Sequence, residues 1–173
     1  MGGHPAAQAF DMAESSHHRP ALTISPAGAE AVPVVRELFV EYQRWLGYDL
    51  CFQGFADELA ALPGCYAPPG GGLWLARSPT TVAGVVGMRG IDAEICELKR
   101  LWVRSPFRGR GLGKALSGRA IDAARAAGYQ RMRLDTLARM TAARAIYRSL
   151  GFVEIEPYYP NPLDEVVYFE LRL

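Results

Sequence analysis

The spacing of apolar positions changes period along the chain, and each change predicts an element. Residues 21–25 alternate like a short strand. Over residues 29–46, Val35, Leu38, Phe39, Tyr42 and Leu46 recur at the spacing of one helix face. Pro33 is tolerable near the start of that helix, and Gly47 can end it. Residues 55–62 predict a second, short helix closed by Pro63-Gly64. Three strand patterns follow, at 73–77, 82–89 and 94–103, the first two flanking the break Ser78-Pro79-Thr80. A helix is predicted over 112–127, with Leu112, Leu116, Ala120, Ala123 and Ala127 on one face and Gly128 as its end. Then come a strand at 131–135, a helix at 141–150 stopped by Gly151, and strands at 152–156 and 166–171 around a Pro-rich loop. The order is βααβββαβαββ, which calls for a mixed sheet covered by helices.

Residues 1–20 have no sustained period and are expected to form a flexible N-terminal extension, leaving 21–173 as one domain. A 173-residue chain that is half hydrophobic buries enough surface for a core without staples. Its formal net charge of +1 gives no global reason to expect a nucleic-acid or membrane-surface protein. There is no membrane-spanning run and no secretory signal pattern, so a cytoplasmic location is expected. Three cysteines, Cys51, Cys65 and Cys96, without CxxC spacing suit reduced thiols. The three histidines, His4, His17 and His18, all fall in the extension. Acid–base chemistry in the domain must therefore use carboxylates, tyrosines or thiols, and no metal is expected.

The sharpest local signal is Arg108-Gly109-Arg110-Gly111-Leu112-Gly113, between a predicted strand and a predicted helix. Glycines let the main chain approach a ligand closely. A helix start offers unpaired N–H groups and a partial positive charge, a cradle for phosphate. The spacing fits neither GxGxxG nor the P-loop, since positions 114, 115 and 116 are Lys, Ala and Leu. Lys99, Arg100, Arg104, Arg108, Arg110, Lys114 and Arg119 crowd the same region without an intervening acid, which predicts a local basic patch facing an anion.

Arg108-x-x-Gly111-x-Gly113 resembles the R/Q-x-x-G-x-G/A motif of the GNAT superfamily of N-acetyltransferases. Glu97-Leu-Lys-Arg-Leu-Trp-Val103 resembles the strand that enters that motif. Ala143-Arg-Ala-Ile-Tyr147-Arg-Ser-Leu-Gly151-Phe152 resembles the family's later A-x-x-x-Y-x-x-x-G-F helix. The resemblance implies an α+β fold: a mixed, mostly antiparallel, V-splayed sheet of about seven strands flanked by about four helices. It implies acetyl-CoA (coenzyme A) as co-substrate. The coenzyme would be held by Leu101, Trp102 and Val103 of the strand, by Arg108, Gly109, Arg110, Gly111, Leu112, Gly113 and Lys114, and by Tyr147. The Val103 N–H would stabilise the oxyanion, and Tyr147 would protonate the departing thiolate.

The implied reaction is direct transfer of an acetyl group to the primary amine of a small-molecule or amino-acid-like acceptor. A non-catalytic coenzyme-A-binding module on the same fold is the alternative. Glu97, eleven residues before Arg108, is the expected base, and Glu94 the substitute. Strand alternation predicts Glu97, Leu101 and Val103 on one face. Met140 stands where many relatives carry an asparagine, seven residues before the tyrosine, so no coenzyme contact is expected from it. Acceptor contacts are expected from Asp49, Phe52, Tyr158 and Tyr159, with Asp164 as another carboxylate able to hold an amine. The partners expected are the amine acceptor and, as an allowed assembly, a second copy in a homodimer. Neither nucleic acid nor membrane is expected.

Overall fold

The computed structural model describes residues 21–173, so the expected extension and its histidines lie outside the described residues. The strands are β1 (Thr23–Pro26), β2 (Gly72–Ser78), β3 (Thr81–Gly90), β4 (Ile95–Val103), β5 (Arg131–Leu137), β6 (Val153–Ile155) and β7 (Val166–Arg172). The α-helices are α1 (Val32–Leu46), α2 (Phe55–Ala61), α3 (Leu112–Ala126) and α4 (Thr141–Ser149). Every predicted element is present in the predicted order, with short 3-10 turns added between them. In α1, Pro sits in the first turn, and Gly47 at φ 75° returns its N–H to Gln43 O at 3.1 Å. Val35, Leu38 and Phe39 are fully buried, each stabilising the fold by about 1.5–3 kcal/mol relative to exposure.

One seven-stranded sheet runs β1-β2-β3-β4-β5-β7-β6. All neighbours are antiparallel except β4 and β5. That parallel pair holds only over Ile95↔Arg131, Cys96↔Met132 and Glu97↔Arg133, although both strands continue. Beyond Glu97 the sheet splays into a V, and the β4 edge from Leu98 onward faces a cleft instead of a strand. Cores form on both faces. Leu116, Ala120, Ile121 and Ala124 of α3 pack with Leu98, Met132, Leu134 and Phe169 on one. On the other, Val35, Leu38 and Phe39 of α1 pack with Leu73, Leu75, Val85 and Trp102.

A bulge in β4 corrects the expected sidedness. Val85 opposes Trp102 and Gly87 opposes Lys99, so Arg100 and Leu101 together oppose Val86. Arg100 takes φ 57°, a left-handed conformation for a bulky side chain. The extra residue resets the alternation. Glu97 points with Arg89 towards the α1–α2 face, whereas Leu101 and Val103 pack towards the α3 core. They do not share a face.

Candidate active site

The turn before α3 sets free N–H groups beside open space. Gly109 and Gly111 have φ of 73° and 74°, and nothing lies within 4 Å of a Cβ added at either. An L-residue in this conformation costs roughly 1–2 kcal/mol, and the space beside each glycine is open. Ala115 is the first residue to bond back, to Gly111 O at 3.0 Å. The N–H groups of Leu112, Gly113 and Lys114 precede that first helical bond and point outward at the positive end of the helix dipole. No acid lies in the first turn of α3. Donors, open space and charge thus fit the diphosphate of a coenzyme.

Arg108 folds back onto the end of β4 and onto α1. Its Nε donates to Val103 O at 2.9 Å, and its guanidinium lies over the rings of Trp102 (4.6 Å) and Trp45 (5.2 Å). The Trp102 side chain itself is on the α1 face, donating to Glu41 at 3.1 Å, so only its main chain adjoins the cleft edge. The basic patch is smaller than its sequence suggests. Arg100 pairs with Glu58, Arg104 with Glu37 and Glu41, and Lys99 with Asp135. These acids come from other elements and pair three of the seven cations. Arg108, Arg110, Lys114 and Arg119 remain exposed.

The V-shaped cleft is lined by Leu98, Leu101, Thr136, Met140, Ala143 and Tyr147. Arg104 donates its N–H to Ala83 O of β3 at 2.9 Å. Successive amides of an extended chain point opposite ways, so the Val103 N–H points to the side from which β5 has parted. Tyr147 is held edge-on by Phe152 (5.9 Å) and at a tilt by Phe169 (6.2 Å). Burial, reinforced by Tyr42 and Asp135, raises its phenol well above the ordinary tyrosine range, so it stays a proton donor. Met140 accepts from Thr136 Oγ1 at 3.5 Å and offers no amide to the cleft.

On the α1–α2 face a second, open cavity of about 310 Å³ is lined by Gln53, Arg89, Glu97, Lys99, Tyr158 and Tyr159. Glu97 is 2% exposed. Its Oε2 accepts from Arg89 Nε at 2.9 Å and pairs with Arg89 Nη2 at 2.8 Å. Its Oε1 accepts from Tyr158 Oη at 2.7 Å, with Lys99 Nζ at 3.7 Å. Burial first, then the Glu97 charge, raises the Tyr158 phenol, which therefore stays protonated. Edge contacts among Tyr158, Tyr159 and Tyr168, at 5.2–5.6 Å, stiffen the loop before β7. Lys99 and Gln53 line both cavities, so the cleft and the open cavity meet there.

Other expected residues fall elsewhere. Asp49 is exposed and lines neither cavity; its Oδ1 accepts from Cys51 N at 2.9 Å, capping the turn Cys51–Gln53. Asp164 is exposed and lines neither cavity. Glu94 is exposed, its nearest partner Arg131 at 3.8 Å. The Phe52 side chain lies outside the described residues. Gln53 and Asp135 enter the site through long-range contacts that no local pattern signals, and Arg89 through its place opposite Glu97 in the β3–β4 hairpin. Among the described residues no group of His, Cys, Asp and Glu could hold a metal ion, and no helix is long and apolar enough to cross a membrane.

Comparison with known proteins agrees with this geometry. The sequence pattern described as Acetyltransferase (GNAT) family matches residues 33–152. An uncharacterized N-acetyltransferase of Dictyostelium discoideum is 34% identical, over 83% of this chain and 95% of that protein. Another from Schizosaccharomyces pombe is 41% identical, over 79% of this chain and 85% of its own length. An N-acetylaspartate synthetase of Xenopus tropicalis is 37% identical over 60% of this chain but only 41% of that protein. In fold, the chain resembles a GNAT acetyltransferase from Elizabethkingia anophelis with acetyl-CoA bound, at a TM-score of 0.65 and 21% identity, over 90% of this chain and 100% of that one. A splayed seven-stranded sheet, an open glycine turn at the start of α3 and a family pattern across most of the chain converge: the chain belongs to the GNAT acetyltransferase family and is an N-acetyltransferase.

Proposed function

We propose that the enzyme transfers the acetyl group of acetyl-CoA directly to the primary amine of a small, amino-acid-like acceptor. The observation that carries this reading is the meeting of two cavities at Lys99 and Gln53, with Tyr147 lining one and the Glu97–Tyr158 pair the other. The cavity on the Glu97 side is small for a peptide and suits a compact acceptor. The similarity to an N-acetylaspartate synthetase, whose name denotes an amino-acid acceptor, favours the same class.

Acetyl-CoA supplies an activated acyl group as a thioester. The N–H groups at the start of α3, with Arg110 and Lys114, would hold its diphosphate, and the open β4 edge from Leu98 would take its arm. The Val103 N–H stabilises negative charge on the acyl oxygen. Glu97 takes the amine proton, directly or through the Tyr158 hydroxyl, whose own proton then passes to Oε1. Tyr147 gives a proton to the leaving sulfur. Direct transfer suits Cys96, a buried thiol that burial pushes up to about 12, which makes it a poor nucleophile.

Free-thiol release from acetyl-CoA across a panel of amines tests the proposal. Turnover with small amino-acid-like amines is expected, and thiol release no faster than in water with every amine overturns it. Tyr147→Phe is expected to lower kcat about 10²-fold with KM for the acceptor nearly unchanged. An unaltered kcat removes Tyr147 from proton transfer.

A further inference from the structure

The open cavity presents charge of one sign to solvent. Its carboxylate, Glu97, is buried behind its partners, with a side chain only 3% exposed, while the Arg89 side chain in front of it is 33% exposed. Arg89 commits Nε and Nη2 to Glu97 Oε2, and its Nη1 makes no hydrogen bond among the described residues. Lys99, the other cation of the cavity, is 6% exposed and is taken up by Asp135 and Glu97. A simple cationic amine entering here meets a guanidinium first. A molecule that also carries an anion meets a partner, and a planar guanidinium edge matches a carboxylate.

Gln53 Oε1 is buried without a donor, on a side chain that lines both cavities. A buried acceptor without a partner is uncommon in folded proteins, and an N–H brought by a ligand would satisfy it. The cavity thus offers a cation near its mouth and an unpaired acceptor where it meets the cleft.

We propose that Arg89 is the carboxylate anchor of the acceptor, and that the substrate class is a small zwitterionic amino acid. Its carboxylate lies on the free edge of Arg89, and its amine lies at Gln53 Oε1, within reach of the Glu97–Tyr158 pair. This rests on the transferase reading above and deepens it.

The test is a set of matched acceptors in the thiol-release assay: L-alanine, L-aspartate and L-glutamate, each against its α-carboxamide. The wild-type enzyme is expected to prefer the acids by about tenfold or more in kcat/KM, chiefly through KM. Because Arg89 also holds Glu97, Arg89→Gln lowers turnover with every acceptor, so the readout is the acid-to-amide ratio, expected to fall to near unity. Arg89→Lys keeps the charge without the planar fork and covers the case in which the glutamine variant does not fold; its ratio is expected to fall between the two. Equal use of acids and amides by the wild type, or an unchanged ratio in either variant, overturns the anchor alone. No thiol release with any amine overturns the transferase reading and the anchor with it.

Discussion

Glu97→Gln is expected to lower kcat by about 10²–10⁴-fold at neutral pH while acetyl-CoA binds nearly as tightly as before. Glutamine preserves the shape of the side chain and can still meet Tyr158 and Arg89. It loses the charge that would receive a proton. The split between turnover and coenzyme affinity follows from the bulge in β4. Glu97 belongs to the α1–α2 face with Arg89 and Tyr158, whereas Leu101 and Val103 pack towards α3. A change at Glu97 therefore leaves the cradle at Gly109–Gly113 untouched. Steady-state kinetics gives the fall in kcat, and titration calorimetry with acetyl-CoA gives the affinity. Full activity in the variant eliminates Glu97 as the proton acceptor. A large loss of acetyl-CoA affinity contradicts the separation of faces.

The succession of strands and helices was legible because each has its own apolar period and its own stop. Gly47, Gly128 and Gly151, all at positive φ, end helices where the sequence marked them. The turn before α3 was legible too, since glycines between a strand and a helix marked where the chain takes positive φ at Gly109 and Gly111. Two other features were not. The bulge rests on Arg100 in a left-handed conformation, and no sequence rule places a bulky cation there. What holds it is Glu58, forty-two positions away. The same blindness to distance made a row of cations look like an exposed patch, when Glu37, Glu41, Glu58 and Asp135 were waiting on other elements. On the acceptor side, Tyr158 and Tyr159 were recognisable as loop aromatics and do line the open cavity. Asp49 lines neither cavity: a short acidic side chain two residues before a free N–H serves its own backbone first.

The pair that fixes the bulge gives the largest expected change in stability. Arg100 donates to Glu58 through Nη2 at 2.6 Å and Nε at 3.0 Å, and Tyr66 donates to the same carboxylate at 2.7 Å. The two charged side chains are only 3% and 7% exposed, and the guanidinium lies 5.0 Å from the Phe55 ring centre. Glu58→Ala leaves a buried cation and a buried hydroxyl without their acceptor. A cost of about 3–5 kcal/mol is expected. In a domain of this size that corresponds to a melting temperature lower by about 10 °C. Burial alone would raise the Glu58 carboxyl, but the Arg100 bond and charge, the Tyr66 hydroxyl and Lys99 outweigh it and hold the group below its ordinary value. A carboxyl depressed in the folded state contributes stability above its unfolded value, near pH 4.3 by model peptides, and loses it as pH falls through the folded value. The difference in unfolding free energy between wild type and Glu58→Ala is therefore expected to be full at neutral pH and to shrink in acid, below about pH 4. Urea unfolding at a series of pH values measures it. Replacing both partners, as Glu58→Leu with Arg100→Met, is expected to recover part of the stability, because no charge is then stranded although the Tyr66 hydroxyl still lacks its acceptor. Without Arg100 the bulge loses its side-chain tie to α2, so this double variant is expected to fold and yet turn over poorly. A double variant as active as wild type would mean that the bulge forms without the ion pair.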